Sequence, residues 1–163
     1  MPYTVSPAAS ADVPAVLELI RARIRWMDEQ GLRQWNVTRY LEVYPASYFQ
    51  ALVQEGTLYL LRRSEDGAPA GAAALFFHDA RWTEDAPARY VHHLVTALGA
   101  SGAGDALLDF CAEEARRGGA AWLRLDCQVE NEMLNRYYEQ RGYVPAGTFW
   151  EHDYHGLRRQ KAL

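Results

Sequence analysis

The stretch HHLVTALGASGAGDALL, residues 92–108, runs from apolar residues through three glycines in six positions and straight back into apolar residues. Upstream, Tyr90 to Leu98 reads as a strand. Downstream, Ala106, Leu107, Phe110, Cys111 and Ala115 recur at helical spacing, with Glu113, Glu114, Arg116 and Arg117 suited to the wet side. A strand that turns on glycines into a helix leaves several amides unpaired at the helix start. Those amides and the positive end of the helix dipole form an anion cradle, which a phosphate can approach closely over Gly102 and Gly104 because neither carries a Cβ. Taken alone, the same turn also fits an ordinary tight connection.

Three sharper motifs fail at this turn. A P-loop needs Lys and then Ser or Thr after its last glycine, where Asp105 and Ala106 follow Gly104. The dinucleotide fingerprint does not match GASGAG, and no preceding sheet unit starts the chain. A nucleophile elbow around Ser101 would need glycine where Ala103 stands.

Working outward, Tyr3 to Val5 is a short strand candidate. Val13, Val16, Leu17, Ile20, Ile24 and Met27 then mark one face of a helix, with Asp12 as its cap, Pro14 in its first turn and Gly31 at its end. Residues 32–44 read as a loop or broken helix, and Pro45 starts a second helical segment to about Val53. Residues 57–63 and 71–78 form a hairpin through SEDGAPA, although the alanines of the second strand weaken that reading. After a loop at 79–88 come the strand, glycine turn and helix, then a strand at 120–127, a short helix from about Asn131 to Arg141 and strand-like YVPAGTFW. Arg158, Arg159 and Lys161 read as a solvated tail. The order implies an α/β sheet with helices on its faces, and a helical crossover makes the strands at 90–98 and 120–127 parallel.

The 163 residues, 49% hydrophobic, suit a single domain over residues 1–163. The 17 basic and 21 acidic residues give a net charge of -4 without a basic block, so no nucleic-acid partner is expected. No stretch reaches the roughly 18 apolar residues of a membrane span, and the N-terminus lacks the pattern of a leader. The two cysteines, Cys111 and Cys127, lack metal or redox spacing and fit a reduced cytoplasmic compartment. Adjacent strand residues point to opposite faces, so His92 and His93 do not form a metal pair and no metal site is expected.

From about Tyr90 to Phe149 the chain resembles the GCN5-related N-acetyltransferase (GNAT) superfamily. The family's (Arg/Gln)-x-x-Gly-x-(Gly/Ala) signature is similar to Gly99, Ala100, Ser101, Gly102, Ala103 and Gly104, and NEMLNRYYEQRGYVPAG is similar to its Asn, short helix, Tyr and Gly-aromatic series. The resemblance implies a mostly antiparallel sheet with a parallel, splayed fourth and fifth strand pair and about four helices. It implies acetyl-CoA as donor and direct attack by a primary amine. Donor-binding residues would be Leu94, Val95, Thr96, the loop from Gly99 to Asp105, Asn131, Asn135 and Tyr138. The amides of Leu94 and Val95 would face the developing oxyanion, and Tyr138 would be the general acid.

Gly99 departs from the family's Arg or Gln, and Asp105 sets a negative charge beside the phosphates. Both imply weaker donor affinity or a compensating Arg elsewhere. His92 is expected as base or substrate-binding residue, with Glu84, Asp85 or a water relay as alternatives. Tyr137 is expected in the core. Trp26, Gln34, Trp35, Tyr40 and Tyr44 are expected to line the acceptor cleft, which would take a small-molecule amine rather than a protein. An amino sugar antibiotic, a polyamine, an amino acid and a protein amine all stay open. So do a homodimer and the alternative of a non-catalytic acyl-CoA or metabolite-binding module.

Overall fold

The computed structural model describes residues 2–163. Its strands hydrogen-bond in the order β1 (Tyr3–Pro7), β2 (Leu58–Arg63), β3 (Pro69–Phe76), β4 (Ala88–Thr96), β5 (Trp122–Gln128), β7 (Tyr154–Ala162), β6 (Val144–Glu151). The chain divides into two compact units, one holding the residues up to Leu75 with His92–Cys111, the other Phe76–Val91 with Ala112–Leu163.

In the first unit, β1 (Tyr3–Pro7), β2 (Leu58–Arg63) and β3 (Pro69–Phe76, ending one residue into the second unit) form an antiparallel series. The hairpin through SEDGAPA is present as expected. The alanines that argued against β3 have a packing reason: Ala70, Ala72, Ala73 and Ala74 are buried, and a Cβ on Gly71 would meet Leu107 Cδ1 and the Val95 carbonyl at 2.9 Å. Small residues let the following helix sit directly on this strand.

Helix α1 (Val13–Glu29) buries Val13, Val16, Leu17, Ile20 and Met27, with Pro14 in its first turn. Asp12 corrects the sequence reading, because its side chain makes no capping bond to α1. Its carboxylate accepts instead from the Ala9 amide at 2.9 Å and pairs with Arg62. Residues 32–44 contain only one helical turn, α2 (Tyr40–Val43), and α3 (Ala46–Glu55) follows Pro45.

In the second unit, the start of β4 (Ala88–Thr96) pairs in parallel with β5 (Trp122–Gln128), from Ala88↔Trp122 to Tyr90↔Arg124. The crossover is α4 (Ala103–Arg117). The ladder ends at Tyr90↔Arg124 although both strands continue. A short helix, α5 (Glu132–Glu139), leads to β6 (Val144–Glu151) and β7 (Tyr154–Ala162).

The expected C-terminal tail is a second correction. Its cations lie in β7, which pairs antiparallel with β5 on one side and β6 on the other. Arg159 is only 5% exposed and donates to the Tyr143 carbonyl at 2.7 Å and to Asn135 Oδ1 at 3.1 Å. Internal acceptors thus replace the water such a side chain would lose on burial. Among the described residues, no helix is long and apolar enough to cross a membrane.

Candidate functional site

The first unit carries the glycine turn. Gly99 and Gly102 have φ of +78° and +76°, the left-handed region that side chains with a Cβ rarely adopt. Glycine at 99 therefore has a backbone reason where the family signature carries a long side chain. The turn is tied by Ala100 N to Ala97 O at 3.2 Å, Ser101 N to Gly99 O at 3.0 Å and Ala103 N to Ala100 O at 3.2 Å. The Tyr3 hydroxyl donates to the Ser101 carbonyl at 2.8 Å, anchoring the turn to β1.

Ala103 is buried, Gly104 and Asp105 are half-buried, and Ser101 and Gly102 are exposed. Among the described residues, the amides of Gly102 and Gly104 donate to no backbone carbonyl. That leaves N–H groups presented at the positive end of a 15-residue helix, which is the construction that holds oxyanions.

Upstream of the turn, β4 carries one left-handed residue. His93 has φ of +53° and is buried, while His92, Leu94 and Thr96 are half-buried. Burial nonetheless alternates from Val91 to Thr96, so His92 falls with Leu94 and Thr96 on the half-buried side and His93 with Val91 and Val95 on the buried side.

The His93 ring is held from both sides. Nδ1 shares a hydrogen bond with the Tyr40 hydroxyl, and Nε2 shares one with the Tyr48 hydroxyl at 2.8 Å. The rings of Tyr44, Tyr48, Phe49 and Tyr40 stand edge-on to it, with centroids 4.7, 5.3, 5.4 and 5.7 Å away. A neutral imidazole has one donor and one acceptor nitrogen, and phenol hydroxyls satisfy both.

The expected acceptor-lining aromatics divide around this group. Tyr40 is buried against His93, Trp35 stacks on Tyr40 at 4.4 Å, and Tyr44 packs edge-on to both Tyr40 and His93. Gln34 is half-buried, its backbone amide donating to Asn36 Oδ1 at 2.8 Å. Trp26 is half-buried on α1 beneath the Arg23 guanidinium, 4.9 Å from the ring centroid.

In the second unit, α5 is capped by Asn131, whose side chain accepts from the Leu134 amide at 3.0 Å. Asn135 Nδ2 donates to the carbonyls of Gln128, Val129 and Asn131, and its Oδ1 accepts from Cys127 Sγ and Arg159 Nε. Those bonds lock α5 to the end of β5. Burial pushes the Cys127 thiol up to about 11 despite Arg159 beside it.

Tyr138 is 5% exposed and packs edge-on to Tyr143 at 5.7 Å. Tyr137 is only half-buried, with the Arg141 guanidinium 3.5 Å from its ring centroid. This corrects the expectation that Tyr137 is the core tyrosine. Burial, with smaller contributions from Cys127, Tyr137 and Tyr143, raises the Tyr138 hydroxyl well above its ordinary value, so it keeps its proton at neutral pH.

Polar residues that the sequence reading passed over gather on β5 and the 79–88 loop. Asp126 accepts from Arg81 Nη1 at 3.1 Å and from the Tyr154 hydroxyl at 2.8 Å, and Arg81 also pairs with Glu151. Burial alone would lower Arg81, but Asp126 and Glu151 outweigh it and hold the guanidinium charged. Arg124, 1% exposed, stacks 4.3 Å from the Trp82 centroid and reaches the Glu84 carboxylate at 3.8 Å. Glu84 and Asp85 are both exposed.

A model of the Acetyltransferase (GNAT) family matches residues 23–143. Among solved structures, an acetyltransferase of that family from Listeria monocytogenes 4b F2365 is 25% identical, covering 99% of this chain and 95% of its own, with a TM-score of 0.77. The paia N-acetyltransferase from Thermoplasma acidophilum, in complex with coenzyme A, is 14% identical over 100% of both chains, with a TM-score of 0.78. The yncA protein from Salmonella typhimurium, with its cofactor acetyl-CoA, is 16% identical over 100% of this chain and 95% of its own, with a TM-score of 0.70. At the identities of the last two, the likeness is one of fold. No curated protein matches the chain.

Proposed function

The chain belongs to the Acetyltransferase (GNAT) family, and on that premise we propose that it moves the acetyl group of acetyl-CoA to a primary amine of a small molecule by direct attack. The observation that carries this reading is the pair of amides at Gly102 and Gly104 without backbone acceptors, at the start of α4 after two left-handed glycines. They offer the donor's pyrophosphate hydrogen bonds and a favourable helix dipole. The loop from Gly99 to Asp105 takes the phosphates, and Leu94, Val95 and Thr96 take the extended arm.

In the reaction, the amine nitrogen attacks the acetyl carbon and the carbon–sulfur bond breaks. The amides of Leu94 and Val95 stabilise the developing oxyanion. Tyr138 gives the departing thiolate its proton, a role that suits a hydroxyl still protonated at neutral pH. His92, half-buried on β4, takes the proton of the amine or binds it. Asn131 and Asn135 act by fixing α5, which carries Tyr138. The two buried cysteines suit a reduced cytoplasmic setting.

Thiol release from acetyl-CoA against a library of amines tests the reading. Amine-dependent release supports transfer, whereas CoA binding with no release for any amine would identify a non-catalytic binding module. Tyr138→Phe removes only the hydroxyl, so kcat should fall about 10- to 1000-fold with little change in CoA affinity. An unchanged kcat where chemistry limits the rate would reject the assignment. His92→Gln should lower kcat/KM by about tenfold or more with CoA affinity unchanged; an unchanged kcat/KM would remove His92 from the reaction.

A further inference from the structure

Arg23 occupies a place where the sequence pattern calls for an apolar residue. It lies three residues after Ile20 and four before Met27, both buried on the inner face of α1. Its Nη2 donates to the Thr96 carbonyl at 2.9 Å and to Thr96 Oγ1 at 3.1 Å, and its guanidinium covers the Trp26 ring. Both bonds come from one nitrogen of a group with five N–H donors. Among the described residues no carboxylate pairs with it. Burial lowers its pKa with no acid to offset the cost of desolvation. A half-buried cation whose only acceptors are neutral is therefore fixed at the end of β4, beside the strand residues assigned to the acetyl-bearing arm.

We propose that Arg23 binds the carboxylate of an acceptor that carries both an amine and a carboxylate, an amino-acid-like molecule, with Trp26 flanking it. The proposal rests on the transferase reading above and narrows it. An arginine fork matches a carboxylate, and an anion there supplies the missing counter-charge. The same charge disfavours polyamines and amino sugars, whose ammonium groups would be brought toward an uncompensated guanidinium. Phosphate is the other anion Arg23 could meet, through CoA, and the experiment separates the two.

The test measures kcat/KM for the proteinogenic L-amino acids, their carboxamides, spermidine and kanamycin, together with the CoA dissociation constant, in the wild type, Arg23→Gln and Arg23→Lys. Gln can still donate to Thr96, so the strand end keeps a partner. The wild type should use at least one free amino acid ten or more times better than its carboxamide. In Arg23→Gln that ratio should fall to within about threefold, with Arg23→Lys in between and CoA affinity within twofold of wild type.

Preference for carboxamides, spermidine or kanamycin would overturn the proposal, as would a ratio that survives in Arg23→Gln. Weakened CoA binding with an unchanged acceptor ratio would assign Arg23 to a phosphate and overturn it too. If the variant Arg23→Gln does not fold, the ratio in Arg23→Lys decides in the same sense. Absence of transfer to every amine by a wild type that binds CoA contradicts the transferase reading itself, and the acceptor assignment with it.

Discussion

The first unit contains two left-handed backbone turns separated by only a few residues, one at His93 and one at Gly99–Gly102, and they are stabilised in opposite ways. At Gly99 the position is left-handed at +78° and a Cβ there would meet nothing within 4 Å, so the residue type alone makes the turn inexpensive. At His93 a residue with a full side chain holds +53°, because Tyr40 and Tyr48, 53 and 45 residues away in sequence, bond both ring nitrogens. One turn is local chemistry; the other is tertiary structure imposed on the strand.

That difference sets the first predictions. His93→Ala removes the hydrogen bonds to Tyr40 and Tyr48 and empties space among four rings. It should destabilise the protein by about 3 kcal/mol, read as a shift of the urea midpoint at constant slope. Gly99→Ala introduces only the left-handed penalty, because the added Cβ has open space. The expected loss is about 1 kcal/mol. A His93→Ala variant as stable as Gly99→Ala would show that the tyrosines do not hold the bulge, and the comparison would collapse.

The same difference explains which parts of the molecule were legible in the sequence. Strand, glycine turn and helix could be read from residues 92–108 because each step uses a residue type that favours it locally. The hairpin of β2 and β3 was legible for that reason too. The alanines of β3 looked like a flaw only because the close approach of Leu107 is a long-range fact.

β7 was missed because Arg158, Arg159 and Lys161 carry the signature of a wet surface, and nothing near them in sequence predicts that the Tyr143 carbonyl and Asn135 will receive Arg159. Strand alternation suggested opposite faces for His92 and His93, and their burial differs in that sense, but the left-handed backbone at His93 and its two distant phenol partners were not legible. Tyr137 and Tyr138 are adjacent on a short helix, so periodicity without knowledge of the facing sheet could not rank them. Arg23 was the one overlooked site residue with a readable signal, a cation inside the apolar stripe of α1.

On the proposed reading, the glycine turn binds the donor's phosphates through backbone amides. Gly104 is the position that tests it most cleanly, since it lies in the first turn of α4 and not among the left-handed glycines. A side chain there demands no left-handed backbone, and valine is the better helix former of the two. Calorimetric titration of CoA into the wild type and Gly104→Val, with a thermal melt to confirm that the variant folds, is the decisive measurement. The dissociation constant of Gly104→Val should be at least about tenfold higher, because a branched side chain would stand where the pyrophosphate approaches. A folded Gly104→Val protein that binds CoA as tightly as the wild type would contradict that reading.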